Sequence, residues 1–236
     1  MRIEIISKLF WVLEYLFFYP KLKKVLYNIK KKENSNNLTK YNILDIGAHK
    51  GQTVNFFTKV FPQAKIYSFE PNPEAFKVLE KFNSNNISCF NIGFGSKVGE
   101  IDFFVSKFSE TSCLNLPDED SKWNLFKLKL LGLDATEMYN KIKVELLTVD
   151  HFLEQNKLLE IFLLKIDVEG SELDVLKGSF NSLSSGKIKY IQLEELKNDL
   201  YKNNFLEIDL LLMKVGKRRL YSIRHPVGNF YEHIYG

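Results

Sequence analysis

The sequence predicts an α/β fold: a Rossmann-like, doubly wound and mostly parallel sheet carrying an N-terminal helical extension. Three observations carry that expectation. From Lys40 onward, short strand-like runs alternate with segments whose apolar residues recur at helical spacing. Ile161-Phe162-Leu163-Leu164-Lys165-Ile166 is apolar at nearly every position, as a strand buried on both faces requires. The turn Asp45-Ile46-Gly47-Ala48-His49-Lys50-Gly51 leads a short apolar strand into a helix through two glycines.

Composition narrows the function classes. A chain of 236 residues, 45% hydrophobic and 26% charged, suits one globular domain with a sizeable core rather than separate catalytic and binding domains. The net charge of +4 comes mostly from lysines scattered among acids, with only four arginines. A nucleic-acid reader would cluster its cations on one face, so no nucleic acid is expected as a partner. Cys89 and Cys113 have no neighbouring Cys or His at ligand spacing. They point to a reducing, cytoplasmic compartment and to no metal site.

The first 39 residues stand apart from the rest, taken as a domain over 40–236. Residues 3–19 are apolar almost all round, yet Lys8 and Glu14 interrupt them. Such a run is too short and too charged to cross a bilayer comfortably. Tyr19-Pro20-Lys21 offers no small-residue cleavage site for a signal peptide. Lys21, Lys23, Lys24, Lys30, Lys31 and Lys32 follow, giving the composition of a peripheral anchor at the inner face of an anionic membrane. The plainer alternative is a helix packed on its own domain or on a second subunit. Glu33-Asn34-Ser35-Asn36-Asn37 reads as a polar linker.

The elements then follow in order. Asn42-Ile43-Leu44-Asp45-Ile46 forms the first strand. The helix beginning near Gln52 places Val54, Phe57, Val60 and Phe61 on one face, before Pro62. Lys65-Ile66-Tyr67-Ser68-Phe69 is the second strand, and Pro73 suits the first turn of the helix carrying Phe76, Leu79 and Phe82. A third strand covers 87–92 and ends in a turn at Gly93 and Gly95. The region 103–143 is less regular, with a strand beginning before Phe103 and a helical stretch over 123–131. Val144-Glu145-Leu146-Leu147-Thr148 returns as a strand, and a short helix follows Asp150. After the central run at 161–167, Leu173, Leu176 and Phe180 mark one further helix. Tyr190-Ile191-Gln192-Leu193-Glu194 is the next strand, a helix spans 206–215, and two late strands lie around Tyr221 and Phe230.

In open α/β sheets ligands bind outside the carboxyl ends of the strands, where strand order reverses, so the strand ends carry the chemistry. The turn 45–51 does not fit the dinucleotide pattern Gly-x-Gly-x-x-Gly from either end. The glycine that lets a pyrophosphate approach the backbone is missing, which favours a nucleoside ligand lacking that group. Glu70 closes the second strand about 20 residues farther on, where an acid can accept from both ribose hydroxyls. By strand alternation Leu163, Lys165 and Asp167 share one face, and Phe162, Leu164 and Ile166 the other. A lysine in a central strand needs a partner, and Asp45, Asp167 and Glu194 are the available carboxylates.

Three motifs taken in order, Asp45 to Gly51, Phe69-Glu70-Pro71-Asn72-Pro73, and Leu164-Lys165-Ile166-Asp167-Val168-Glu169-Gly170-Ser171-Glu172, closely resemble those of FkbM-type methyltransferases. The resemblance covers 41–195. It implies the class I methyltransferase fold, S-adenosyl-L-methionine as cofactor, and O-methylation of a sugar, glycan or natural-product hydroxyl. It puts Asp45, Gly47, Ala48, His49, Gly51, Glu70, Pro71 and Gly93 at the cofactor. The family usually has Asn where this chain has His49.

Methyl transfer to a hydroxyl needs in-line placement and benefits from a base. Asp167 and Glu169 are the first candidates, with Glu194 behind them and Lys165 orienting the cluster. His225 is a further candidate base, or else an exposed loop histidine. Thr111, Ser112 and the irregular region 103–143 are expected to shape the acceptor pocket. Two rival readings remain at this level: a non-catalytic interaction module on the same fold, and a nucleotide-dependent oxidoreductase, against which the broken dinucleotide pattern counts.

Overall fold

The computed structural model describes residues 12–34, 41–107, 111–118, 120–131, 138–196 and 205–236. A π-helical turn, Glu14–Phe18, runs directly into α1 (Tyr19–Asn34). The remaining elements are β1 (Asn42–Ile46), α2 (Gln52–Val60), β2 (Lys65–Phe69), α3 (Pro73–Leu79), β3 (Ile87–Phe90), β4 (Gly93–Phe94), β5 (Gly99–Ser106), α4 (Lys122–Leu131), β6 (Tyr139–Leu147), α5 (Val149–Gln155), β7 (Ile161–Ile166), α6 (Glu172–Lys177), α7 (Phe180–Ser184), β8 (Ile188–Leu196), α8 (Phe205–Lys214), β9 (Arg219–Arg224) and β10 (Phe230–Tyr235).

The main sheet has seven strands in the order β3-β2-β1-β7-β8-β10-β9. The first five are mutually parallel, and β10 runs antiparallel to both β8 and β9. Strand order reverses between β1 and β7, so the crevice open to a ligand lies past Ile46 and Ile166. This is the doubly wound, mostly parallel arrangement expected from the sequence. A small second sheet, β4-β6-β5, holds the irregular region against it.

Both faces of the main sheet are covered. Leu44, Ile46, Phe69, Leu164, Ile166, Ile191 and Leu193 form one core with Phe152, Val175 and Leu212 from the helices. Ile43, Ile66, Leu163, Tyr190 and Ile234 face the other way, against Phe57, Phe61 and the apolar stripe Phe18, Leu22, Leu26 and Ile29 of the first helix. The inner stripe of that helix is therefore part of the core. Leu26 is fully buried, and Leu26→Ala is expected to cost about 2–5 kcal/mol of unfolding free energy in a urea titration. A cost below about 1 kcal/mol would mean that the helix rests on the domain without belonging to it.

Several sequence expectations are corrected. Helix α1 continues to Asn34, and Glu33 is a buried residue rather than part of a linker: it accepts from the Tyr190 hydroxyl at 2.8 Å and pairs with Lys189. Residues 35–40 lie outside the described ones. Gly93 sits in β4, paired with Leu146, not in a turn. The helix expected through Leu173 and Phe180 is two helices separated at Gly178, where a Cβ would lie 2.1 Å from the Gly95 carbonyl oxygen. Phe162 packs in the cluster of Leu163, not in that of Leu164. Among the described residues no helix is long and apolar enough to cross a membrane.

Candidate functional site

The floor of the crevice is made where the β1 and β7 turns touch. Gly47 has φ +78°, and a Cβ there would stand 1.7 Å from the Asp167 carbonyl oxygen, so only glycine lets the two turns meet. The amides of Gly47 and Ala48 both donate to the Phe69 carbonyl, and that of His49 donates to Glu70. A turn whose leading N–H groups are spent inside the protein offers little to a phosphate. Gly51, at φ +88°, lies against the Phe82 ring. Both glycines thus serve the packing of the turn. His49 has φ 47°, a left-handed conformation that Asn and His tolerate better than most residues, so it can keep the backbone role of the asparagine usual in the resemblance.

Lys165 lies in register beside Asp45 across the β1–β7 pair. Its ammonium is 3.2 Å from Asp45 Oδ1, 3.2 Å from Asp167 Oδ2 and 3.1 Å from the Gly47 carbonyl. Only 3% of Lys165 is exposed and Asp45 is fully buried, whereas the Asp167 side chain is 39% exposed and opens toward the crevice. Burial alone would drive the proton off Lys165. Asp167 and Asp45 outweigh it, raising the pKa and keeping the charge. Thr53, on the first turn of α2, donates to the second Asp45 oxygen at 2.5 Å.

Glu70 is buried at the end of β2, and its two oxygens accept from the amides of His49 and Asn72, each at 2.8 Å. Burial pushes its carboxyl up to about 7 against the pull of those two bonds. Each oxygen keeps a second lone pair for a ligand hydroxyl. Pro71 and Glu70 carbonyls are both held by the Asn91 amide group, which ties the β2 turn to the segment leading into Gly93.

The turn after β7 is strained. Glu169 has φ 51° and Gly170 φ 93°. Glu172 is buried and accepts from the Gly170 amide at 3.1 Å, with burial pushing its carboxyl up to about 7. The last acid of the motif therefore locks the turn that presents Asp167 and Glu169. The irregular region closes the same edge: Ser112 accepts from the Asn72 amide group at 3.4 Å, and Asn115 donates to Ser171 at 3.0 Å.

A second wall comes from parts of the chain that sequence reasoning does not connect. Glu194 near the end of β8 is in register with Glu232 of β10. His225, just past β9, lies 3.8 Å from Glu194 and 3.6 Å from Glu232 through Nε2, and 3.0 Å from Glu14 through Nδ1. Phe18 stacks on its ring at 3.9 Å. The histidine is not an exposed loop residue, since 9% of its side chain is accessible. Burial would lower its pKa, but Glu14, Glu232 and Glu194 together raise it to about 10, so it is an imidazolium at neutral pH. Burial, with Asp167 adding to it, holds Glu194 well above the ordinary carboxylate range. Tyr19 lies within electrostatic reach of Lys165 and Asp167, and burial raises its hydroxyl pKa. Glu14, Phe18, Tyr19, Thr53 and Glu232 thus join the residues expected from sequence. Only Thr53, in the first turn of α2, had a local signal.

Comparison with known proteins identifies a sequence family. A sequence family described as the Methyltransferase FkbM domain matches residues 45–223. The chain is 30% identical over 153 residues to methyltransferase sdnD of Sordaria araneosa, covering 58% of this chain and 59% of that one. It is 29% identical over 168 residues to the 2-O-methyltransferase NoeI of Sinorhizobium fredii, covering 67% and 65%. To the hexuronic acid methyltransferase AglP of Haloferax volcanii it is 27% identical over 127 residues, covering 52% and 44%. The match therefore spans less than two thirds of each relative's length.

Proposed function

The chain belongs to the FkbM methyltransferase family, and from that premise we propose that it is an S-adenosylmethionine-dependent O-methyltransferase acting on a hydroxyl of a sugar, glycan or small natural product. The observation that carries the reading is the charge pattern of the crevice. Asp45 and Asp167 pair with the buried Lys165 ammonium, Glu70 lies within its electrostatic reach, and the β1 turn has little left to offer a phosphate. Such a site suits a nucleoside that carries a positive charge and no phosphate. One relative is a 2-O-methyltransferase and another a hexuronic acid methyltransferase, which favours oxygen, and a sugar, as acceptor. Both cysteines are free thiols, in keeping with a cytoplasmic setting.

S-adenosylmethionine supplies an electrophilic methyl group on a sulfonium. Glu70 would accept from the ribose hydroxyls, while Gly47, Ala48, His49, Gly51, Pro71 and Gly93 would shape the surrounding surface. Lys165, paired with an Asp45 that Thr53 holds in turn, fixes the Asp167 carboxylate at the mouth of the crevice, where it orients the acceptor hydroxyl. Methylation of that hydroxyl requires its proton to leave. Glu194 is the base that takes it. Its raised pKa suits it to accept the proton, whereas Asp167 is held in the ion pair with Lys165. Glu169 adds negative charge beside Glu194 and helps to hold its affinity for the proton. His225, already protonated at neutral pH, acts as a fixed cation and not as a base.

Calorimetry with S-adenosylmethionine, S-adenosylhomocysteine and NAD tests the cofactor, with binding of the first two expected and binding of NAD alone counting against the reading. Glu70→Ala is expected to weaken binding about 10- to 100-fold, the worth of one charge-assisted hydrogen bond at about 1.5–3 kcal/mol. Because Glu70 titrates near 7 and a cationic ligand favours its anion, wild-type binding at pH 6 is expected to release a proton, and binding should tighten as pH rises through 7. Equal heats in buffers of different ionisation enthalpy would remove Glu70 from the cofactor site.

A further inference from the structure

The first helix has two working faces. Its inner face, Glu14, Phe18, Leu22, Leu26, Ile29 and Glu33, is buried against the sheet. Its outer face at the end nearest the crevice is apolar and bare: Val12 is 52% exposed, Tyr15 67%, Leu16 55% and Phe17 54%. In sequence the apolar run continues back to Leu9, and beyond Lys8 and Ser7 apolar residues recur at Ile6, Ile5 and, past Glu4, Ile3. Farther along, the outer side carries exposed Lys23, Lys24 and Lys31, interleaved with Tyr27, and Lys21 is exposed as well. The only acids in the described part of the helix, Glu14 and Glu33, are both buried, so no acid of the helix itself is exposed beside these lysines.

Apolar side chains at one end with lysines beyond them match an anionic bilayer, where the apolar groups enter the headgroup layer and the ammonium groups meet lipid phosphate. A second copy of the chain fits less well. Two-fold pairing of this helix would place lysines against lysines if parallel, or lysines against the apolar end if antiparallel. The apolar end is also the end that delivers Glu14 and Phe18 to His225. We infer that the outer face of the first helix docks the protein on an anionic lipid surface, with the acceptor wall of the site turned toward that surface. The acceptor hydroxyl is then one presented at a membrane, such as that of a lipid-linked glycan; this last step rests on the proposed methyltransferase activity, whereas the docking does not.

Co-sedimentation of the whole chain with vesicles of phosphatidylcholine alone, or of phosphatidylcholine with phosphatidylglycerol, tests the docking. Wild type is expected to sediment with the anionic vesicles and to be released by salt. Leu16→Asp with Phe17→Asp, and separately Lys23→Glu with Lys24→Glu and Lys31→Glu, are each expected to lower the bound fraction by about tenfold or more. Both variants should bind S-adenosylhomocysteine as wild type does, because neither touches the crevice. No binding of wild type to anionic vesicles overturns the inference, as does equal binding by both variants. A dimer seen by light scattering that Leu16→Asp with Phe17→Asp dissociates, without vesicle binding, assigns the face to a second copy instead. Loss of S-adenosylhomocysteine binding by wild type would sink the methyltransferase reading and leave the docking result standing.

Discussion

Lys165→Met is expected to remove about 3–5 kcal/mol of unfolding free energy, a large share of what a single domain possesses. The side chain it replaces is almost wholly buried and serves two carboxylates at once. Without the ammonium, Asp45 is a buried anion whose remaining hydrogen bond among the described residues comes from the Thr53 hydroxyl. Asp167, being partly open to water, suffers less. Adding Asp45→Asn to Lys165→Met should therefore recover part of the loss, because the uncompensated charge goes with the aspartate. Urea titrations of the two variants and of wild type read this directly. A single-variant loss under about 1 kcal/mol, or a double variant weaker than the single, would show that the cluster does not support the fold.

The second large effect concerns turnover. Glu194→Gln is expected to lower kcat and kcat/KM together by about 10²–10⁴-fold while leaving the affinity for S-adenosylhomocysteine unchanged, since the amide keeps the shape and cannot take the proton. For wild type the acidic limb of the pH–rate profile should have its midpoint above the ordinary carboxylate range, with activity rising as Glu194 ionises. The acceptor for these measurements comes from a screen of hydroxyl compounds for methyl transfer from labelled S-adenosylmethionine. Normal turnover in Glu194→Gln with collapse in Asp167→Asn would move the base to Asp167. His225→Ala, by contrast, should shift the midpoint upward, because the imidazolium is the cation that restrains the Glu194 pKa.

Half of this site was legible in the sequence, and the half that was not differs in one physical respect. Asp45, Glu70, Lys165 and Asp167 each sit at or near the end of a parallel strand, and the rule that such ends converge at a switch point needs only the order of elements. Strand alternation likewise anticipates Lys165 beside a carboxylate, because register fixes which side chains share a face. In the proposed acceptor wall only Glu194, at the end of a parallel strand, and His225, as a candidate base, were named from sequence, and nothing local joins them. Glu232 enters because β10 is antiparallel and its beginning meets the end of β8, a pairing that no residue in Phe230-Tyr231-Glu232 announces. His225 in isolation has the neighbours of an exposed loop, and its burial is supplied by Phe18 from the other end of the chain. Glu33 was legible only as one acid in a polar stretch, since its partners Lys189 and Tyr190 belong to a distant strand. Short β4 shows the same limit on a smaller scale, because two residues cannot display a period.

The contact between Glu14 and His225 joins residues 211 positions apart, and bringing them together carries the chain-closure entropy of a long loop. The ends of β1, β2 and β7, with Glu70, Lys165 and Asp167, meet through the pairing of parallel strands. The proposed acceptor wall needs more, because Glu194, His225 and Glu232 meet Glu14 only where β9 and β10 are packed against the first helix. The proposed cofactor crevice thus rests on one set of contacts and the proposed acceptor wall on another.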